Sequence, residues 1–258
     1  MRNCGEKKLH TVWQSAVFFV AYVFAFALVW IVAYAIVENE YVFPSLWETC
    51  KAAGRLLIDA FFYRSFLRSL VRVFVAFIVS FICAVVCAVL GKIFPFFGKV
   101  LAPIVAALRA LPTLAVLLIL LLWATPNSAP VIVAFLALFP LLYTGVAMAI
   151  STVDKGLEEM CAVYDVPMKR RIFQMYLPIA LPYVVKEAAG GASFALKLVV
   201  SAEVLAGTYI SLGGMMQLSK IYLQTPQMFA LAVLVIVFGI AFEGVGVLLS
   251  RWREGGRV

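Results

Sequence analysis

The sequence predicts an all-α membrane protein, a bundle of six spanning helices, and three observations carry that expectation. Of 258 residues, 65% are hydrophobic and 13% charged, with a mean hydropathy of +1.06, against about 45–50% apolar and about 25% charged in a soluble domain. With 21 basic and 13 acidic residues, polar side chains are too few to cover a water-soluble fold, so lipid must cover the rest. Apolar runs long enough to cross a ~30 Å hydrocarbon core as helices recur along the chain, and the eight-to-ten-residue alternation that a membrane barrel requires is missing. The same composition excludes disorder. Five cysteines form an odd set, which argues against a disulfide scaffold, and the single histidine, His10, excludes any two-histidine metal motif.

The expected spans are 15–37, 66–90, 100–124, 129–150, 181–207 and 228–250, and the whole chain, 1–258, reads as one transmembrane domain. Arg2, Lys7 and Lys8 ahead of the first run also fit a secretory signal. Its apolar core exceeds the ~7–15 residues of such a signal and ends in Glu38-Asn39-Glu40 without a small-residue cleavage site, so a retained anchor is expected. Cys4 precedes the run, which favours an unmodified thiol over lipidation. The aromatic residues Trp13, Phe18, Tyr22, Phe26 and Trp30, with no charge among them, place this span at the lipid-facing periphery.

Orientation follows from the basic residues. With the N-terminus inside, Arg2, Lys7, Lys8, Lys92, Lys99, Lys155, Lys169, Arg170, Arg171, Arg251, Arg253 and Arg257 are cytoplasmic, against Lys51, Arg55, Arg64, Arg68 and Lys220 outside. Both termini are therefore expected in the cytoplasm. The net charge of +8 expresses this bias and contact with anionic lipid, not nucleic-acid binding.

The connections differ in character. From Glu38 to Arg64, apolar Leu46, Ala53, Leu56, Leu57, Ala60 and Phe61 interleave with Glu48, Lys51, Arg55 and Asp59, which predicts an amphipathic interfacial helix started by Pro44-Ser45. The second outer connection, 208–227, carries Gly213-Gly214 and Thr225-Pro226 as turn signals. The loop 151–180 is cytoplasmic. Lys155 to Tyr164 suits a short helix, Asp165-Val166-Pro167 interrupts it, and Met168 to Met175 suits a second, ended by Leu177-Pro178 and Leu181-Pro182. Pro167 fits the first turn of that second helix, with Asp165 accepting from its free N–H groups. Lys169, Arg170 and Arg171 form a polar side and Met168, Ile172 and Met175 an apolar one. Such a helix–turn–helix either inserts into a partner's groove or rests on lipid headgroups.

At this loop the sequence resembles the permease subunits of binding-protein-dependent ABC importers. Their signature is Glu-Ala-Ala, then a glycine three residues on, then Leu-Pro; here Glu159-Met160-Cys161 stands at the triplet, Asp165 at the glycine, and Leu177-Pro178 with Leu181-Pro182 closes it. Asp is among the few residues besides glycine that visit positive φ. Further landmarks are similar to the aliphatic-sulfonate, taurine and nitrate branch: Phe43-Pro44-Ser45, Ser69-Leu70-Val71-Arg72-Val73, Leu108-Arg109-Ala110-Leu111-Pro112, Ala202-Glu203-Val204-Leu205 and Ser211-Leu212-Gly213. Together they cover the chain from about Phe43 onward.

The resemblance implies a type I importer permease bundle in the bacterial inner membrane, paired with a second permease, expected to be an identical copy, around a pathway for a small anionic or zwitterionic solute. It implies a coupling helix at Glu159, Ala162, Asp165, Val166, Pro167, Met168, Lys169 and Ile172, docked on one of two cytoplasmic ATPase subunits, and an external binding protein that delivers cargo. The chain itself has no G-x-x-x-x-G-K-[ST], so no cofactor or nucleotide is expected on it and ATP hydrolysis falls to the partner.

Charges at membrane depth are costly, about 2.5–3.5 kcal/mol each on insertion scales, and must face the bundle interior, water or a counter-charge. Lys197 and Glu203 lie in the fifth span and Glu243 in the sixth; Lys186 and Glu187 can snorkel at a span edge. Lys197 and Glu203, roughly 240° apart around a helix, cannot simply pair. Lys197, flanked a turn away by Ser193 and Ser201, either lines a pathway with Glu203 and favours an anionic substrate, or pairs with Glu243 or with Glu203 of a second subunit to fix packing. Small residues, Ala188 to Ala192 with Ala195, permit close helix approach in this span. An intramembrane enzyme is disfavoured, since no Gly-x-Ser-x-Gly, no histidine within a span and no close aspartate pair is present. A scaffold, or a permease whose coupling has drifted at Asp165, is the remaining alternative.

Overall fold

The computed structural model describes residues 21, 24–37, 39 and 42–254, with side chains up to residue 244. The expectations for the N-terminal anchor, Cys4, His10 and the first part of the first span lie outside these residues. The described residues are helical, without strands. In chain order the helices are α1 (Phe24–Val37), α2 (Leu46–Leu56), α3 (Ala60–Ile93), α4 (Pro95–Ala110), α5 (Thr113–Leu120), α6 (Ala129–Ser151), α7 (Lys155–Val163), α8 (Met168–Arg170), α9 (Leu177–Ala206), α10 (Leu212–Ile221) and α11 (Thr225–Glu254). A π-helical turn, Arg171–Tyr176, joins α8 to α9.

Four of these are long and apolar enough to cross a membrane, counting Met168–Ala206 as one, and α4 with α5 makes a fifth if the bent pair is one span. At ~1.5 Å per residue, the 34 residues of α3 reach about 51 Å, well beyond a bilayer core. It therefore starts and ends outside the expected 66–90. Asp59 caps it by accepting from the Phe61 N–H at 2.8 Å. It stops at Phe94, where Pro95 disfavours a helical predecessor. The chain turns straight into α4, with Gly98 against Gly91: a Cβ on Gly98 would stand 3.2 Å from the Gly91 carbonyl oxygen.

Helices α3, α6 and α9 pack together, with α11 and α10 against α9 and α2 against α11. Ala76, Ala84, Leu138, Leu142, Leu196 and Val199 are buried at their junction. The small-residue expectation for the fifth span holds at Gly191, whose added Cβ would meet Leu142 at 2.6 Å; Gly190 faces open space. α2 begins where expected, with Ser45 accepting from the Glu48 N–H, and its buried face, Thr49, Ala52 and Leu56, lies toward protein. In α1 most side chains are exposed, but Trp30 is buried and packs on Phe43 and Phe229 while its indole N–H donates to the Pro44 carbonyl at 3.1 Å. One face of the first span thus belongs to the protein and the rest to its periphery.

Three expectations are corrected. The run 100–124 is not one straight helix: it bends by 88° at Leu111-Pro112, because Pro112 forces Leu111 to an extended ψ of 126°. Leu177-Pro178 and Leu181-Pro182 do not end the second loop helix. Residues 168–206 continue as a single 39-residue helix, with the wider π turn just before Pro178. Such local adjustment, with neighbouring helices, lets membrane helices keep prolines. Gly213-Gly214 is not a loop turn but the first turn of α10. The missing side chain lets α10 sit on α9, since a Cβ on Gly213 would lie 2.5 Å from both the Glu203 Cβ and the Val204 nitrogen. Gly213→Val is accordingly expected to destabilise by about 1–3 kcal/mol or more through overpacking, checked by thermal unfolding of the purified protein in detergent.

Candidate functional site

The loop between α6 and α9 folds into a tight elbow. Asp154 caps α7 by accepting from the Gly156 N–H at 2.9 Å. At the other end Asp165 takes φ 49°, the left-handed conformation. Its N–H donates to the Ala162 carbonyl (3.2 Å) and the Val166 N–H to the Cys161 carbonyl (3.0 Å), the paired bonds of a Schellman ending. Asp165 thus takes the positive φ that its tolerance for the left-handed region allows. Arg171 closes the elbow from the far side, its Nε donating to the Val166 carbonyl at 2.7 Å and an Nη to the Cys161 carbonyl at 2.8 Å. The guanidinium gives the Cys161 carbonyl a second donor beside the Val166 N–H and supplies one to the Val166 carbonyl just past the helix end.

One side of the elbow is anchored. Val153, Met175 and Tyr176 are buried with Ala88, Val146 and Ile150, and Lys92 at the end of α3 meets Glu158 of α7 at 2.8 Å. The hydrogen bond from Lys92 holds the Glu158 carboxyl below its ordinary value, against an opposing push from partial burial. Its contribution is therefore complete above the ordinary carboxylate range, about 4.3, and fades as pH falls through the lowered value. Because the pair is partly open to water, Glu158→Gln should cost only about 0.2–1 kcal/mol at neutral pH. A pH series of thermal unfolding should show wild type and variant converging in acid.

The other side faces outward. Met160, Val163, Tyr164 and Phe173 are exposed, Val163 at 79%, and an apolar cluster of this kind marks a contact surface. Of the residues expected to couple, Glu159, Ala162, Asp165, Pro167, Met168 and Lys169 are exposed, while Val166 and Ile172 are half-buried. Ile172 packs inward on the anchoring cluster. Pro167 precedes α8 instead of lying in its first turn, and no side chain caps α8, so the expected bonds from Asp165 are not formed. Sequence reasoning missed Glu158, one residue before the motif glutamate, and the carbonyl clamp of Arg171.

The residues expected along a pathway divide between two environments. Lys197 and Ser201 lie on an exposed stripe of α9 with Phe194 and Leu205. Ser193 is buried and donates to the Gly239 carbonyl of α11 at 3.3 Å. Glu203 does not face open space: it is wholly buried, its carboxylate 2.9 Å from Arg72, within 2.7 Å of the Ser69 hydroxyl, and accepting from the Gly213 N–H at 3.3 Å. Ser69 also accepts from the Leu212 N–H, and Arg72 reaches Asn127 at 2.9 Å and the Ile210 carbonyl at 3.4 Å. The expected alternative, Lys197 paired with Glu243, is not formed; neither makes an ion pair among the described residues. Glu203 draws its counter-charge from Arg72 of its own chain. Ser69 and Arg72, three residues apart on one helical face, were already present together in the sequence motif.

Several helices long and apolar enough to cross a membrane, with a folded elbow between two of them, define a multi-pass membrane protein. The chain belongs to the family described as binding-protein-dependent transport system inner membrane component, which it matches over residues 76–255. It is 29% identical over 161 residues to the riboflavin transport system permease protein RibX of Chloroflexus aurantiacus, covering 60% of this chain and 59% of that protein. In fold it resembles an amino acid ABC transporter solved with histidines (TM-score 0.63, 16% identity, 74% of this chain and 93% of that one) and an inward-facing methionine ABC transporter (TM-score 0.55, 17% identity, 80% and 96%). The fold is thus shared with chains of ABC transporters, and the family is a transport component, not an enzyme.

Proposed function

We propose that the chain is the pathway-forming subunit of an ATP-driven importer, paired with a second copy of itself, with both termini in the cytoplasm. The α7–α8 elbow, residues 154–176, docks on a cytoplasmic ATPase, each permease holding one, and an external binding protein delivers cargo to the opposite end. ATP binding draws the two elbows together and switches the pathway between inward- and outward-open states of similar energy. The observation that supports this most is the elbow itself: a Schellman turn and an arginine clamp hold its backbone rigid while its outer face exposes Met160, Val163 and Tyr164. A helix meant only to rest on headgroups has no use for a fixed turn. Asp165 adopting the glycine's conformation also supports coupling over a drifted scaffold.

For cargo, the motif resemblance favours a small anionic or zwitterionic solute of the sulfonate, taurine or nitrate kind. A second reading, a flavin-like vitamin, is favoured by the likeness to RibX. Co-purification in detergent tests the coupling claim: wild type is expected to retain its ATPase, and a version with residues 165–171 replaced by Gly/Ser to lose it while staying folded. Equal retention by both would sink the docking site.

A further inference from the structure

The bend between α4 and α5 opens a cleft of about 260 Å³ against α6 and α9. Its walls are mostly apolar, among them Leu111, Val133, Phe194 and Leu198, and its polar lining residues are Arg109 and Thr113, on the two sides of the break. No acidic residue lines it, and Arg109 makes no ion pair or side-chain hydrogen bond among the described residues. Lys197, also without an ion pair among the described residues, is exposed on α9 and lies in the sequence between the cleft residues Phe194 and Leu198. Two cations with no counter-charge among the described residues, in or near one cleft on apolar helices, are costly at membrane depth unless something negative visits them. An apolar hollow with a few convergent polar groups is the usual form of a small-ligand site, and broken helices mark such sites in transporters.

We infer that this cleft is an anion subsite of the translocation pathway, with Arg109 as its charge-recognising residue, Lys197 as a second positive neighbour and Thr113 as a hydroxyl donor. Its ligand class is a small oxyanion, a carboxylate, sulfonate or nitrate-like group, which a planar guanidinium can grip with two hydrogen bonds. This rests on the permease reading given above, and it assigns a role to a residue in the Leu108-to-Pro112 motif that the coupling argument leaves unused.

The site can be tested without knowing the cargo. In a version lacking the native cysteines, Thr113→Cys is reacted in membrane vesicles with two methanethiosulfonates, one ending in a sulfonate and one in a trimethylammonium. The anionic reagent is expected to react faster relative to the cationic one. That ratio should drop about tenfold when Arg109→Gln removes the nearby charge, and Arg109→Lys should restore most of it. A ratio indifferent to all three residues at position 109 would overturn the subsite, as would no reaction with either reagent, since the cleft would then be sealed by lipid or a partner helix. ATPase retention is measured on the same preparations. A flat ratio with the ATPase retained removes only the anion subsite, whereas loss of the ATPase from the Arg109-intact protein removes the importer reading beneath it.

Discussion

Arg72→Met is expected to destabilise the protein by about 3–5 kcal/mol, because it leaves the Glu203 carboxylate buried without its counter-charge. Glu203 is fully buried and Arg72 nearly so, and the pair holds more than two side chains together. Through Ser69, the Gly213 and Leu212 N–H groups, the Ile210 carbonyl and Asn127, it joins α3 and α9 to the start of α10 and to the connection before α6. Thr208 donating to the Pro126 carbonyl at 2.6 Å adds a parallel link between the same two connections. The loss is therefore concentrated at one end of the bundle. The pair's net worth against a neutral replacement is much smaller than the cost of breaking it, so Arg72→Met combined with Glu203→Gln should recover most of the stability. Thermal unfolding of the four proteins of this double-mutant cycle in detergent measures both effects. Equal, additive losses would mean that the pair is not coupled.

The second large effect is at the elbow. Arg171→Met removes the donors that hold the Val166 and Cys161 carbonyls, and Asp165→Ile places a β-branched side chain at φ 49°, at a cost of about 1–2 kcal/mol for that residue. Because the elbow is a surface feature, neither should unfold the bundle. Each is expected to cut ATPase retention at least about tenfold, since a shift of 1.4 kcal/mol in the docking conformation is a tenfold change in affinity. Asp165→Gly keeps the backbone geometry and should retain the ATPase as wild type does. A pull-down comparing the three variants at equal permease input checks this, and failure of Asp165→Gly would point to the carboxylate, not the turn, as the essential part.

What was legible in the sequence was local and periodic. Four of the six apolar runs coincide with helices long enough to cross a membrane, a fifth is the bent α4–α5 pair, and the first lies partly outside the described residues. Ser45 marked the start of α2, and the tolerance of Asp for positive φ anticipated the Asp165 turn. Misreadings arose where tertiary context overrode a local signal. Pro178 and Pro182 look like helix stops, yet a π turn and neighbouring helices keep the helix continuous. Pro112 breaks a run whose composition is uniformly apolar. Gly213-Gly214 reads as a turn, but serves a close approach of α10 to α9. Partnerships between distant residues were the hardest: Arg72 and Glu203 are 131 positions apart, and spacing along α9 excludes Lys197 as a partner without naming Arg72. The role of Arg171 was hidden for a different reason. A basic residue beside Lys169 and Arg170 reads as part of a solvated face, and only the folded turn turns its guanidinium back on two carbonyls.

The central claim, that the α7–α8 elbow is where the ATPase sits, is tested most directly by a photo-crosslinking side chain placed in the living cell at Tyr164, 76% exposed on the elbow. Trp47, 69% exposed on α2, serves as the control, since the orientation argued above places it across the membrane. An adduct from position 164 whose peptides contain a nucleotide-binding P-loop sequence, with none from position 47, is the result expected. No ATPase adduct from position 164, or equal adducts from both positions, would contradict the account.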